Sequence, residues 1–242
     1  MKLIKFLDSL IYPDRCAYCG RVLFRGNFVC PKCEKELPRI EGVTCRKCGR
    51  EKDKCHCRGS EKYFSSLCAP FYYEGCVKLG VHNFKFRRGL KSYKVYAEEM
   101  AKTVNEKLSA VDFDFITEVP MHRSNLKQRG YNQSLWLAKG IGEILGIEHK
   151  PSVLVKFIKT KNQHKITYYL RKGNLIGVFD VPDPKGVEGK TILLCDDIST
   201  SGETLNECAK MLWLYGAKEI HCITLGLTLS KKDKENINIH YK

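Results

Sequence analysis

Eight cysteines crowd into residues 16–57 in a regular rhythm. Cys16-x2-Cys19 is followed by ten residues and Cys30-x2-Cys33; Cys45-x2-Cys48 is followed by six residues and Cys55-x-Cys57. A Cys-x2-Cys turn aims two sulfurs at one point, and two such turns complete a tetrahedron around Zn²⁺. Gly20 and Gly49 directly follow two of the turns, where a knuckle needs positive φ. With all eight thiolates committed, both sites are closed and structural rather than catalytic. Sequential pairing (Cys16, Cys19, Cys30, Cys33 and Cys45, Cys48, Cys55, Cys57) closes short loops. A crossed arrangement, or His56 standing in for a cysteine, stays open. The segment has few large apolar side chains, so bound metal is expected to supply most of its folding energy.

A second constellation lies far along the chain. The apolar run Thr191–Cys195 leads into Asp196-Asp197-Ile198-Ser199-Thr200-Ser201-Gly202-Glu203-Thr204, and helical spacing follows. A turn of small hydroxyl residues and glycine at a helix start presents free backbone N–H groups that can cradle a phosphate. Thr200, Ser201 and Thr204 add hydroxyl donors. Two carboxylates upstream would repel that phosphate, but they suit ribose hydroxyls or a Mg²⁺ on the sugar side.

The elements that position these groups follow from periodicity. Apolar residues at helical spacing predict helices over 92–108, 132–145 and 203–215, the last ended by Gly216. Residues 113–119, 191–195 and 219–225 read as strands. The continuous apolar run 191–195 is the pattern of a parallel strand covered on both faces. Strands alternating with helices predict an α/β fold with a doubly wound parallel sheet, whose ligands sit at the carboxyl ends of the strands. The expected division is residues 1–61 (a short amphipathic helix at 2–11 and the metal-binding segment) and 62–242 (the α/β domain). Trp136 and Trp213 are expected in the core, as are Cys68, Cys76, Cys195, Cys208 and Cys222.

The chain carries 42 Lys and Arg against 27 Asp and Glu, a formal +15. That surplus favours polyanions: nucleic acid, phosphorylated ligands or anionic lipid. Each Zn(Cys)4 centre would carry about −2 and offset cations near it, so the stronger surplus lies in residues 121–175. These hold 11 Lys and Arg and only Glu143 and Glu148. Lys127, Lys161, Lys165 and Arg171, interleaved with Tyr131, His164, Tyr168 and Tyr169, are candidates for contacting single-stranded nucleic acid. An odd count of 13 cysteines, clustered rather than spread as a disulfide framework, points to a reducing compartment and a cytoplasmic setting. Residues 2–11 are too short and too interrupted by charge for a membrane span. A peripheral contact with the inner membrane face is compatible with them.

ILLCDDISTSGET at residues 192–204 resembles the 5-phosphoribosyl-1-pyrophosphate (PRPP) signature of type I phosphoribosyltransferases. With the cysteine segment, FKFRRGL at 84–90, VPMHRSNLKQRGYNQS at 119–134, KTKNQHKITYYLRKGNL at 159–175 and GVF at 177–179, nearly the whole chain resembles the ComF family of competence proteins. That family joins a double zinc ribbon to a type I phosphoribosyltransferase-like fold. The resemblance implies that Asp196 and Asp197 hold ribose, and that Thr200, Ser201, Gly202 and Thr204 bind the 5-phosphate. The turn at Pro120–Arg123, with His122, Arg123 and Arg129, would hold pyrophosphate; Lys85 and Arg87 are weaker candidates. It further implies Mg²⁺ with PRPP, a role in natural transformation on incoming single-stranded DNA, and a DNA-uptake helicase as a candidate partner. An active phosphoribosyltransferase without a DNA role is the alternative. The sequence departs from the family pattern at Ser201, where Thr is commoner, and at Lys161 and Lys165, which replace Pro and Gly. Whether turnover occurs, and on which acceptor, the sequence leaves open.

Overall fold

The computed structural model describes residues 14–23, 26–55, 57, 61–86, 90–156 and 178–229. The expected helix at 2–11 lies outside these residues. So do His56, Arg87, Lys161, His164, Lys165, Tyr168, Tyr169 and Arg171.

In chain order the elements are α1 (Pro31–Lys35), β1 (Ser66–Cys68), β2 (Phe71–Tyr72), α2 (Gly75–Phe86), α3 (Tyr93–Leu108), β3 (Phe115–Glu118), α4 (Arg123–Arg129) and α5 (Gln133–Leu145). They continue as β4 (Val155–Lys156), β5 (Phe179–Asp180), β6 (Thr191–Ser199), α6 (Glu203–Leu214) and β7 (Glu219–Leu227). The main sheet runs β1-β7-β6-β3, with β2 also paired to β7, and every pairing in it is parallel. β4 and β5 form a separate antiparallel pair.

The sheet is buried on both faces, as its apolar runs require. Ile116, Leu193, Cys195, Ile223 and Leu225 pack on one side with residues of α2, α3 and α5. Phe115, Ile192, Leu194, Ile220 and Cys222 pack on the other with Leu205, Cys208, Ala209 and Leu212 of α6. Alternate residues of one strand therefore serve two cores. Cys68, Cys195, Cys208 and Cys222 are buried, as expected, whereas Cys76 is only partly so. Trp213 departs from expectation: it is 54 % exposed and lies against Tyr63, ring centroids 5.5 Å apart. Its helix directs Leu212 inward, and a neighbouring position on a helix faces about 100° away.

The first cysteine cluster is not a detached head. Tyr18 is fully buried between Phe71 and Tyr96, at centroid distances of 6.0 and 5.5 Å. The Tyr96 hydroxyl donates to the Ala17 carbonyl at 2.5 Å. Tyr18 thus roots this segment in the main core, so metal is not the segment's sole source of stability. Sequence spacing around the cysteines gave no hint of that anchor.

Candidate functional site

The structure settles the cysteine pairing. The sulfurs of Cys16, Cys19, Cys30 and Cys33 lie within 4.8 Å of one another, and so do those of Cys45, Cys48, Cys55 and Cys57. A tetrahedral Zn²⁺ with bonds of about 2.3 Å needs sulfurs about 3.8 Å apart. Cys19 and Cys30 are 3.8 Å apart, Cys45 and Cys57 3.5 Å, and Cys48 and Cys55 3.6 Å. Backbone N–H groups point at the sulfurs: Cys33 N–H donates to Cys30 Sγ at 3.3 Å and Cys30 N–H to Cys16 Sγ at 3.4 Å. The Cys33 N–H lowers the Cys30 thiol to about 7. At Cys45, burial pushes upward, but the Cys48 N–H and neighbouring sulfurs hold the thiol down at about 7. Burial pushes the thiols of Cys19, Cys33, Cys48 and Cys57 up, so it is the four-sulfur spacing at each cluster, more than prepared thiolates, that fits a structural Zn²⁺.

The second functional region is built by β6 and β3. Because these strands are parallel with Glu118 beside Cys195, the chain leaving β3 at Val119 and the chain reaching Asp196 emerge side by side. β6 continues to Ser199, and α6 opens at Glu203. Gly202 caps it at φ +78°, a left-handed conformation that costs another residue about 1–2 kcal/mol. Thr200, Ser201 and Thr204 are exposed around it. Ser201 Oγ accepts from the Glu203 N–H at 3.4 Å.

The two acids differ. Asp196 Oδ1 accepts from the Ser134 hydroxyl at 2.8 Å and from the Asp197 N–H at 2.8 Å. Burial, then the adjacent Asp197 charge, raise its carboxyl to about 7; Ser134 and Lys85 pull the other way. Asp197 Oδ1 accepts from the Ile198 N–H at 2.6 Å, and its Oδ2 meets Lys85 Nζ at 2.7 Å. That pair is largely shielded, with side-chain exposures of 19 % for Lys85 and 13 % for Asp197. Lys85, at the end of α2, is thereby the best-placed cation for the acid pair. Ser134 gave no chemical signal in sequence beyond its place in RGYNQS.

The Pro120–Arg123 turn enters α4. His122 caps that helix: its Nδ1 accepts from the Ser124 N–H at 3.2 Å and lies 2.7 Å from Ser124 Oγ. Arg123 and Lys127 are exposed on α4. Arg129 reaches Gln133 Oε1 at 3.3 Å and lies 5.3 Å from the Phe86 ring centroid. Its Nε is buried without an acceptor among the described residues. Tyr131 bonds the Phe84 carbonyl through its hydroxyl, which places it as a packing residue.

Beside the Ser199–Glu203 loop lies a cavity of about 330 Å³. Its far wall is the second cysteine cluster: Lys47, Cys48, Arg50, Lys54 and Cys57, with Lys62 and Leu67. Asp196, Asp197, His122, Arg123 and Arg129 do not line it. The loop therefore stands between the acid pair and a metal-binding segment.

Residues 7–69 match the double zinc ribbon domain, and residues 137–240 the phosphoribosyl transferase domain. Over 217 residues the chain is 28 % identical to the DNA utilization protein YhgH of Salmonella typhi, covering 88 % of this chain and 90 % of that protein. It is 24 % identical to Competence protein F of Haemophilus influenzae, covering 85 % and 93 %, and 24 % identical to Competence protein ComFC of Bacillus subtilis, covering 81 % and 83 %. The chain is a homologue of the ComF competence proteins. Its ComF-type architecture is thus a double zinc ribbon followed by a phosphoribosyltransferase-like parallel sheet. Among the described residues no helix is long and apolar enough to cross a membrane.

Proposed function

We propose that the β6–α6 loop binds PRPP and that this pocket serves a ComF-type protein handling incoming single-stranded DNA. The observation that carries the reading is the junction at Asp196–Thr204. A buried parallel strand carries two carboxylates near its carboxyl end and passes through a left-handed Gly202 into a helix start. On this reading the amides and hydroxyls of Thr200, Ser201, Gly202 and Thr204 hold the 5-phosphate. Asp197, with Asp196 behind it, faces the ribose hydroxyls. Pyrophosphate lies toward the Pro120–Arg123 turn, with His122, Arg123 and Arg129 near it. Mg²⁺ supplies charge neutralisation to the bound pyrophosphate. Lys85 leaves Asp197 as ribose takes its place, and its ammonium is then available to an anionic oxygen.

The DNA part of the proposal draws on the ComF relationship and on the basic surplus of residues 121–175. Lys127 is an exposed cation within that stretch; Lys161, Lys165 and Arg171 are proposed with it on sequence alone. We also propose the division into residues 1–61 and 62–242. Calorimetric titration of Mg²⁺–PRPP into the full chain and into Asp197→Asn tests the pocket; heat in neither would end the PRPP reading. Anisotropy of a labelled single-stranded oligonucleotide across a salt series tests the DNA part. Affinity is expected to fall steeply with salt, and absence of binding at low salt would end it.

A further inference from the structure

The cavity described above has two unlike walls. One is the loop Ser199–Glu203; the other is the second ribbon, which brings Lys47, Arg50 and Lys54, with Lys62 from the following segment. Among the described residues Glu203 is the single carboxylate in its lining. The ribbon sits close because Gly49 adopts φ +72° against the sheet end. A Cβ there would fall 3.0 Å from the Leu67 carbonyl oxygen and 2.9 Å from Leu227 Cδ1.

The cations do different work. Arg50 is a brace: its Nε and Nη2 donate to the Thr228 carbonyl at 3.1 and 2.7 Å, and Nη2 also donates to the Thr200 carbonyl at 3.0 Å. Lys54 is held by the Glu51 carboxylate and stands 4.9 Å from the Tyr72 ring centroid. Neither Lys47 nor Lys62 pairs with a carboxylate among the described residues. Two cations thus share a cavity with the Ser199–Glu203 loop at the start of α6, and among the described residues only Glu203 and the cysteine sulfurs in the lining oppose them.

We propose that the second ribbon is the other half of the phosphate site. Lys47 and Lys62 close over a terminal 5′-phosphomonoester of a pentose seated on the Thr200–Thr204 loop, while Arg50 fixes the loop to the ribbon. This rests on the reading under Proposed function and adds which element completes the site and which ligand group it selects. A phosphomonoester suits two opposed walls: it carries about −1.5 to −2 charge at neutral pH and three acceptor oxygens. A backbone phosphodiester offers fewer charges and two exits for the chain. The cavity, at the small end of the ligand-site range of about 300–1,000 Å³, takes the phosphate end of the ligand, while the sugar lies across the loop toward Asp197, which does not line the cavity. The same group occurs on a free sugar phosphate and on the 5′ end of a DNA strand.

The experiment titrates the zinc-loaded full chain with PRPP, ribose 5-phosphate, and a 5′-phosphorylated and a 5′-hydroxyl oligonucleotide. It compares wild type, Asp197→Asn, Lys47→Gln/Lys62→Gln and Lys47→Arg/Lys62→Arg. The glutamine pair is expected to lose at least about tenfold in affinity for the phosphomonoester ligands, and the arginine pair to retain most of it. Equal loss for 5′-hydroxyl and 5′-phosphorylated strands would overturn the proposal, because the lysines would then serve strand backbone generally. Unchanged PRPP affinity in the glutamine pair, with Asp197→Asn still weakened, would overturn it and leave the PRPP reading intact. No binding of any phosphomonoester to wild type removes both. Preference for ribose 5-phosphate or for the phosphorylated strand, lost in the glutamine pair, supports the proposal and identifies the source. If the glutamine pair loses zinc, the arginine pair decides: retained zinc with lost affinity would also overturn it.

Discussion

Replacing Lys85 by Met should destabilise the protein in a way that depends on pH. Lys85 Nζ and Asp197 Oδ2 are 2.7 Å apart and largely shielded from water. Removing one partner of such a pair leaves its counterpart unbalanced, a cost of about 3–5 kcal/mol when fully buried. Partial exposure of both groups lowers the expectation to about 2–3 kcal/mol. For a chain of this size that lowers the melting temperature by about 4–12 °C. The pH dependence follows from Asp196, whose carboxyl stands at about 7 because of burial and the Asp197 charge, with Lys85 among the groups restraining the rise. An acid that is weaker folded than unfolded takes up a proton on folding. Its stability contribution is fullest below the unfolded value near about 4 and is lost as pH rises through about 7. Without Lys85 the carboxyl rises further, so the deficit should be larger near about pH 8 than near about pH 5, where the loss of the Lys85–Asp197 pair itself remains. Calorimetric melting of wild type, Lys85→Met and Lys85→Met/Asp197→Asn across that range measures it. Loss of zinc at low pH affects all three alike and cancels in the differences. The double variant should recover most of the loss at high pH. A deficit independent of pH, or a double variant no better than the single, would refute the reasoning.

Other outcomes follow from the same geometry. Metal analysis of the purified chain should give about two zinc per molecule, and Cys45→Ser should retain about one; a single zinc in wild type would contradict the two separate clusters. Gly49→Ala should cost about 2–3 kcal/mol, from the left-handed φ and the approach to the Leu67 carbonyl. A melting temperature within about 1 °C of wild type would contradict that close packing. Ser134→Ala removes a 2.8 Å donor from Asp196, so its carboxyl should rise further. Mg²⁺–PRPP binding, which favours the ionised acid, should then gain strength at a higher pH than in wild type; identical pH profiles would show that Asp196 is not linked to the ligand.

Much of this arrangement was legible from residue types alone. The Cys-x2-Cys spacings located both clusters, because metal ligation fixes short sequence intervals. The run Thr191–Cys195 located the central strand, because a strand buried on both faces is predominantly apolar. β6 continues to Ser199, past the apolar run, because Asp196, Ile198 and Ser199 stay paired with β7 while the side chains of Asp196 and Asp197 find Ser134 and Lys85. The Asp196–Ser134 and Asp197–Lys85 contacts join residues 62 and 112 positions apart, and no local spacing encodes them. The same holds for the ribbon lysines. In sequence they were only cations near the cysteine segment; the fold sets them opposite the β6–α6 loop. Trp213 looked like core because its helix is amphipathic, yet the buried stripe is set by Leu205, Cys208 and Leu212.

A crystal structure of the full chain with Mg²⁺ and PRPP tests the central claim most directly. The account predicts the 5-phosphate on the amides of Thr200–Thr204, the ribose hydroxyls at Asp197, and Lys85 displaced from that carboxylate. Ligand density elsewhere on the molecule, or an intact Lys85–Asp197 pair with the loop amides bare at saturating PRPP, would contradict it.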